Sequence, residues 1–397
     1  MPEIPQFERE LVAEGLTDGY WIQAVDLDGS GRPGLLTSGL AEGVVRWYAN
    51  PGWRDHTIAK LRQPVAFDAA DITGDGVPDL VVCHNYGESM YAHKPGDGTI
   101  SWLRNPGALD TTPWEVRQVG GLVSAHRLRF GQFTRRAGLQ LLALPVVGDV
   151  GGREGLERPV RITVFEPPEN VLEAEAWNVA ADDAASFHVL HDYTPLGRDR
   201  QGLEQLLIAS REGLTSYGWH AEDRAWGRIR IGTGEDSQRE RTGFSGSSSV
   251  ALGSLPSAGV RFAAALEPFH GNTVSVYVET GEGMWRRTVL DVFGDPNDVG
   301  EGPGHHVVTA DFDGDGEDEF LVALRGPMPW QGVFYYKAID AAGGLWTKKR
   351  VSTDSAARIA VADFNGDGRL DFATIGYYTP GYFLANDPVV AVYHNLG

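Results

Sequence analysis

The sequence predicts an all-β fold, a seven-bladed β-propeller with four antiparallel strands per blade, and three observations predict it. A Gly/Asp-rich turn flanked by short alternating apolar runs recurs along the chain. A second strand pair, its outer strand often led by Trp, follows each such hairpin. The units are spaced 45 to 62 residues apart, close to the length of a four-stranded blade. Seven of them fill the 397 residues, and radial repetition hides their sheet edges.

The clearest inner hairpins turn at DLDGSGRPGL (26–35), DITGDGVPDL (71–80), DFDGDGEDEF (311–320) and DFNGDGRLDF (363–372). Alternation on both sides of such a turn is the mark of a β-hairpin. Degenerate copies lie at 131–144, 193–209 and 253–266. The outer pairs are clearest at GVVRWYANPGWRDHTI (43–58) and at GTISWLRNPG followed by PWEVRQV (98–119). Blades are therefore expected to begin near residues 20, 65, 125, 187, 247, 305 and 357, within one domain spanning 1–397. The last unit, ending VVAVYHNLG, is one strand short. FERELVAEGL (7–16) has the alternation to supply that strand and close the ring.

Lys and Arg total 34 against 54 Asp and Glu, a net charge of −20, which argues against a nucleic-acid partner. No apolar run is long enough to span a membrane. MPEIPQFERE has no apolar signal-peptide core, and the single cysteine, Cys83, suits a reducing compartment. The expectation is a soluble cytoplasmic protein with no membrane partner.

The acidic turns carry a metal-ligand pattern. Asp311, Asp313, Asp315 and Glu319 stand at positions 1, 3, 5 and 9 of one turn. Asp71, Thr73, Asp75 and Asp79 match them, as do Asp363, Asn365, Asp367 and Asp371. Asp26, Asp28 and Ser30 form the weakest copy. Hard oxygen ligands at this spacing suit Ca²⁺. Two carboxylates about 4 Å apart repel by roughly 4 kcal/mol at an effective dielectric of 20, which favours a bound cation. Structural Ca²⁺ is expected at these turns. They resemble the FG-GAP/VCBS repeats of integrin-like and bacterial propellers, a resemblance that implies the fold and no particular activity.

The opposite ends of the inner strands carry different chemistry. Five residues before each turn stand Trp21, Ala66, His126, His188, Ser248, His306 and Arg358, taking the fourth turn to begin at Tyr193. The ends of the second strands add His84, Glu267, His270 and Arg325 to the same face, with Tyr377 nearby, and His305 precedes His306. Imidazoles can hold a borderline divalent metal or act as general bases, and arginines can stabilise an oxyanion. A base with an oxyanion stabiliser suffices for proton abstraction beside a carbonyl, followed by elimination. No G-x-S-x-G elbow is present for Ser-His-Asp chemistry.

LEPFHGNTVSVY (266–277), the W-x-x-NPG turns at Trp47 and Trp102, and SAHRLRFG (124–131) resemble the propeller domain of the aldos-2-ulose dehydratase and 1,5-anhydro-D-fructose dehydratase family. The resemblance implies a carbon–oxygen lyase acting on a keto-sugar or glycoside, with an enolate stabilised by a divalent metal such as Zn²⁺ or Mg²⁺. It makes His126, His188, Glu267 and His270 the best active-site candidates, with His306, His84 and Arg325 supporting. His126, His188 and His270 are the possible ligands of the catalytic metal. Larger fungal members carry cupin domains associated with isomerisation, so elimination without isomerisation is expected of this chain.

Two other readings compete: a non-catalytic carbohydrate-binding or scaffolding propeller, and a polysaccharide lyase. A lectin would repeat its pocket from blade to blade, whereas the histidine face differs in every blade. The tryptophans at repeat positions, Trp47 and Trp102 among them, read as packing between blades rather than as sugar platforms.

Overall fold

A computed structural model describes residues 4–397 except 111, 136, 282, 341, 380–382 and 386. Seven four-stranded antiparallel sheets account for nearly all of its regular structure, with two short helices between them. The first blade is Trp21–Val25, Gly34–Ser38, Val44–Ala49 and Arg54–Lys60, counted from the axis outwards. The next five begin with the innermost strands Ala66–Ala70, Ala125–Gly131, Asp192–Arg198, Ser249–Leu255 and Gly304–Ala310. Arg358–Ala362 and Asp371–Ile375 start the seventh blade, Val390–Asn395 follows, and Phe7–Ala13 is its outermost strand. The N-terminal strand thus closes the ring, pairing antiparallel from Phe7 opposite Asn395. Across this seam His394 meets Glu10 at 2.8 Å and Asp371 at 3.1 Å.

Burial follows position in the blade. Second strands such as Gly34–Ser38 and Glu319–Arg325 are buried along their whole length, having paired strands on both sides and blades on both faces. Outermost strands such as Arg54–Lys60 expose about every other residue. Trp47 and Trp102 are completely buried, as their packing role requires.

The fourth inner turn lies elsewhere than expected. Tyr193 sits within the inner strand Asp192–Arg198, and the turn is at Asp199–Leu203, where Asp199 accepts the Leu203 N–H at 2.8 Å. The sequence offers no Gly/Asp pattern there beyond this single capping carboxylate.

The acidic turns carry compensation within the chain. Asp71 and Asp363 each accept three backbone N–H groups from their own turns, and Asp79, Glu319 and Asp371 are buried acceptors for the turn's second residue. At the 311 turn the Lys337 ammonium lies against Asp313, Asp315 and Glu319. One carboxylate oxygen from each of Asp311, Asp313 and Asp315 lies within 4.8 Å of the others, a spacing that a bound cation could use.

Buried asparagines at the ends of third strands tie three of these turns to the next blade. Asn105 donates to Leu27 O at 2.9 Å and Pro78 O at 3.0 Å, Asn395 to Phe312 O at 2.6 Å, and Asn50 to Phe364 O at 2.7 Å. This gives the repeated NPG turns a physical reason. Replacing Asn105 with Ala leaves two carbonyls without their donor, so stability should fall by about 1–3 kcal/mol. Urea unfolding measures this, and a loss below about 0.5 kcal/mol would contradict the role.

Candidate active site

On the face opposite the acidic turns, the residue that ends the approach to each inner strand points to the axis. These are Tyr20, Val65, His126, His191, Ser248, His305 and Ala357, each preceding a residue paired in equivalent register with its second strand. Two of them are set by β-bulges. Register shifts between Ala125 and Arg127, and between Gly304 and His306, leave His126 and His305 as the extra residues. A bulge re-aims a side chain and commonly does so beside active sites. His270 joins from the turn after Val260–Glu267, held at φ 41°, a conformation non-glycine residues seldom adopt.

The result is a buried cluster. The His191 and His270 rings lie 4.6 Å apart, His270 and His305 5.0 Å, His191 and His305 5.4 Å, and His126 and His191 4.8 Å. One ligand atom from each of His191, His270 and His305 lies within 4.8 Å of the others.

Hydrogen bonding fixes the orientation of these rings. His191 Nδ1 faces Ser248 O at 2.9 Å, His270 Nδ1 faces Glu301 Oε2 at 2.9 Å, and His305 Nδ1 faces Ala357 O. Each partner can only accept, so each Nδ1 carries the proton and each Nε2 presents a lone pair. His270 Nε2 and His191 Nε2 are 3.0 Å apart, and His305 Nε2 is buried without a partner among the described residues. Two lone pairs at that distance repel unless a proton or a metal lies between them. Burial pushes all three imidazoles down, His191 and His305 well below the ordinary value, which disfavours the proton. The donor set and its second shell of carbonyls and carboxylate fit a borderline divalent ion.

A second chain of contacts starts deeper. Asp192 holds Arg127 Nε at 3.2 Å, and Arg127 Nη1 lies 2.8 Å from His126 Nδ1. A guanidinium only donates, so Nδ1 accepts, and His126 donates through Nε2 to Tyr20 Oη at 2.8 Å. The Tyr20 hydroxyl proton is left for another acceptor. The cavity beside Tyr20, His126 and His270 measures about 40 Å³ and is covered by Tyr86, Glu88 and Met90. That is room for an ion and a water.

Of the expected site residues, His126 and His270 belong to this cluster. Arg325 supports it, bonding Glu301 Oε2 at 3.3 Å and lying 4.9 Å over the Tyr377 ring. His306 lies one step along the strand and lines the central channel instead, 4.0 Å from Asp192. His188 is half-exposed and pairs with Glu212 at 2.9 Å; the displaced fourth turn put it in His191's place. His84 bonds Ser101 at 3.0 Å, apart from the cluster. Glu267 is fully buried, with Arg287 at 2.6 Å, Tyr277 at 2.5 Å and Ser275 at 2.8 Å, which makes it an anchor within blade five. Sequence reasoning missed Tyr20, His191 and Glu301. The H-x-x-H of FHVLHDY was the one available sign of His191.

The model of the family described as aldos-2-ulose dehydratase, beta-propeller domain, matches residues 97–280. The chain is 35% identical to aldos-2-ulose dehydratase of Phanerodontia chrysosporium over 99% of its own length. It spans 46% of that relative's length. Among solved structures, BBS1N crystallised with ARL6DN and soaked with lead superposes with TM-score 0.57 at 12% identity, covering 98% of this chain and 96% of that one. The mercury-soaked counterpart gives 0.54 at 11%, with the same coverage. These two share the fold alone. Among the described residues, no helix is long and apolar enough to cross a membrane.

The buried histidines make stability depend on pH. Burial lowers His126, His191, His305 and His306 well below the usual imidazole value, and His84 to about 4. The unfolded chain therefore takes up protons first as pH falls through about 6.5, and each such histidine removes up to about 1.4 kcal/mol per pH unit below it. Urea midpoints should be level from pH 8 to 7 and drop steeply by pH 5.5; a flat profile would contradict neutral burial.

Proposed function

We propose that this chain is a carbon–oxygen lyase that eliminates water from a keto-sugar, related to the aldos-2-ulose dehydratases. The observation that carries the reading is the convergence of three Nε2 lone pairs at the mouth of the ring. The 35% identity to a dehydratase over nearly the whole chain supports it independently. His191, His270 and His305 would hold a divalent ion, which when bound supplies positive charge to polarise a substrate carbonyl.

The chain's own groups divide the remaining work. Ser248 O, Glu301 and Ala357 O fix the three rings so that no reorganisation is needed on binding. Tyr20, whose hydroxyl is bonded by His126, can give its proton to the departing hydroxyl group and take one back from the carbon beside the carbonyl, so that one C–O and one C–H bond break and water leaves. Arg127 and Asp192 behind them keep His126 in the donating tautomer. A sugar ring exceeds the 40 Å³ cavity, so binding would require its lining to open.

Elimination beside a carbonyl makes a conjugated enone, so ultraviolet absorbance over time is the test. With aldos-2-uloses and 1,5-anhydro-D-fructose as the panel, absorbance should rise, and a chelator should abolish the rise until a divalent ion is restored. Tyr20→Phe should lower kcat by about 10²–10⁴ with metal content unchanged, and His305→Ala should lose both metal and activity. A flat trace from folded, metal-loaded protein would favour the non-catalytic carbohydrate-binding propeller.

A further inference from the structure

A larger cavity than that at the histidine mouth lies elsewhere in the ring. It is the central channel on the other side of Arg127, about 430 Å³ in volume and open to solvent. Trp21, Asp68, Arg127, Asp192, His306 and Arg358 are among its walls.

The charges in this wall do not pair off. Asp192 is fully used: Oδ1 takes Arg127 Nε at 3.2 Å and Oδ2 takes the Ser249 hydroxyl at 2.7 Å. Asp68 accepts the N–H groups of Phe130 at 2.6 Å and Ala69 at 2.9 Å. Arg129 is paired with Glu204 at 3.4 Å. That leaves Arg358, which feels the Asp192 charge at a distance, with no carboxylate hydrogen-bonded to it among the described residues. Its Nε and Nη1, and Nη2 of the 2%-exposed Arg127, are buried without a hydrogen-bond partner among the described residues. Both guanidiniums lie over the Trp21 ring, Arg358 at 4.1 Å and Arg127 at 5.7 Å from its centroid. Burial and the nearby Arg127 push Arg358 down only to about 10, so it keeps its charge at neutral pH. An unpaired buried guanidinium is costly, and buried orphan donors call for a partner.

We propose that this channel binds a small oxyanion, a sulfate, phosphate or carboxylate group, through the free N–H groups of Arg358 and Arg127. Guanidinium forks match the oxygens of such groups in bidentate fashion. The chain's net charge of −20 disfavours general anion accumulation, so uptake there would reflect these two arginines. The site is separate from the imidazole cluster, and its occupancy does not depend on the lyase reading.

The test is thermal unfolding in sodium sulfate, balanced with chloride to constant ionic strength. The melting temperature should rise hyperbolically and saturate, as for a ligand bound by the native state alone, and acetate should act in the same way at higher concentration. Arg358→Gln should abolish the saturable part. A rise that is linear in sulfate and equal in Arg358→Gln would be general exclusion of sulfate from the protein surface, and would overturn the proposal. Crystals grown in selenate give a reading that needs no variant. An anomalous peak at the Arg358 guanidinium is expected, and peaks confined to exposed arginines would overturn it equally.

Discussion

Seven sheets can close on themselves only if their innermost strands all start on the same face of the disc. That constraint organises everything else in this protein. It gathers seven residues from distant parts of the chain at one mouth, and seven turns at the other face. No single blade could build the histidine cluster, because His126, His191, His270 and His305 come from four different sheets. Closure itself rests on Phe7–Ala13 pairing with Val390–Asn395 and on asparagines that tie successive blades.

The two ends of the channel solve different electrostatic problems. At the mouth, burial keeps imidazoles neutral and their Nδ1 partners aim the lone pairs inward, an arrangement that favours a cation. One step deeper, Arg127 and Asp192 form a buried tier that orients His126 on one side. On the other side, Arg358 stands without a hydrogen-bonded carboxylate among the described residues, an arrangement that favours an anion. At the far rim the acidic turns gather backbone amides around their carboxylates, and Lys337 joins the 311 turn.

The propeller was legible because its signals are local. A period-two strand and a Gly/Asp turn can be read within ten residues, and copying them sevenfold leaves little choice of architecture. The site was only half legible. His126 and His270 were found although their hairpins are degenerate, because SAHRLRFG and LEPFHGNTVSVY carry the family resemblance. His191 was missed because blade four turns at Asp199, six residues beyond Tyr193 and without the acidic pattern, so that counting back from Tyr193 reached His188. His305 gave way to His306 because counting five residues back from the turn stops one short of the site, as it does at Trp21 beside Tyr20 and at Ala66 beside Val65. Glu301 lies in a loop between blades, where no period exists to place it. Glu267 looked like a site residue because its partner Arg287 is 20 positions away.

The central claim is that His191, His270 and His305 form one metal centre. The most direct measurement is visible absorption of the metal-stripped protein titrated with Co²⁺. The d–d bands are expected to saturate at one equivalent and to disappear in His191→Ala and in His305→Ala, but to persist in His188→Ala. Bands that survive loss of His191 and His305, or that vanish with His188, would contradict it.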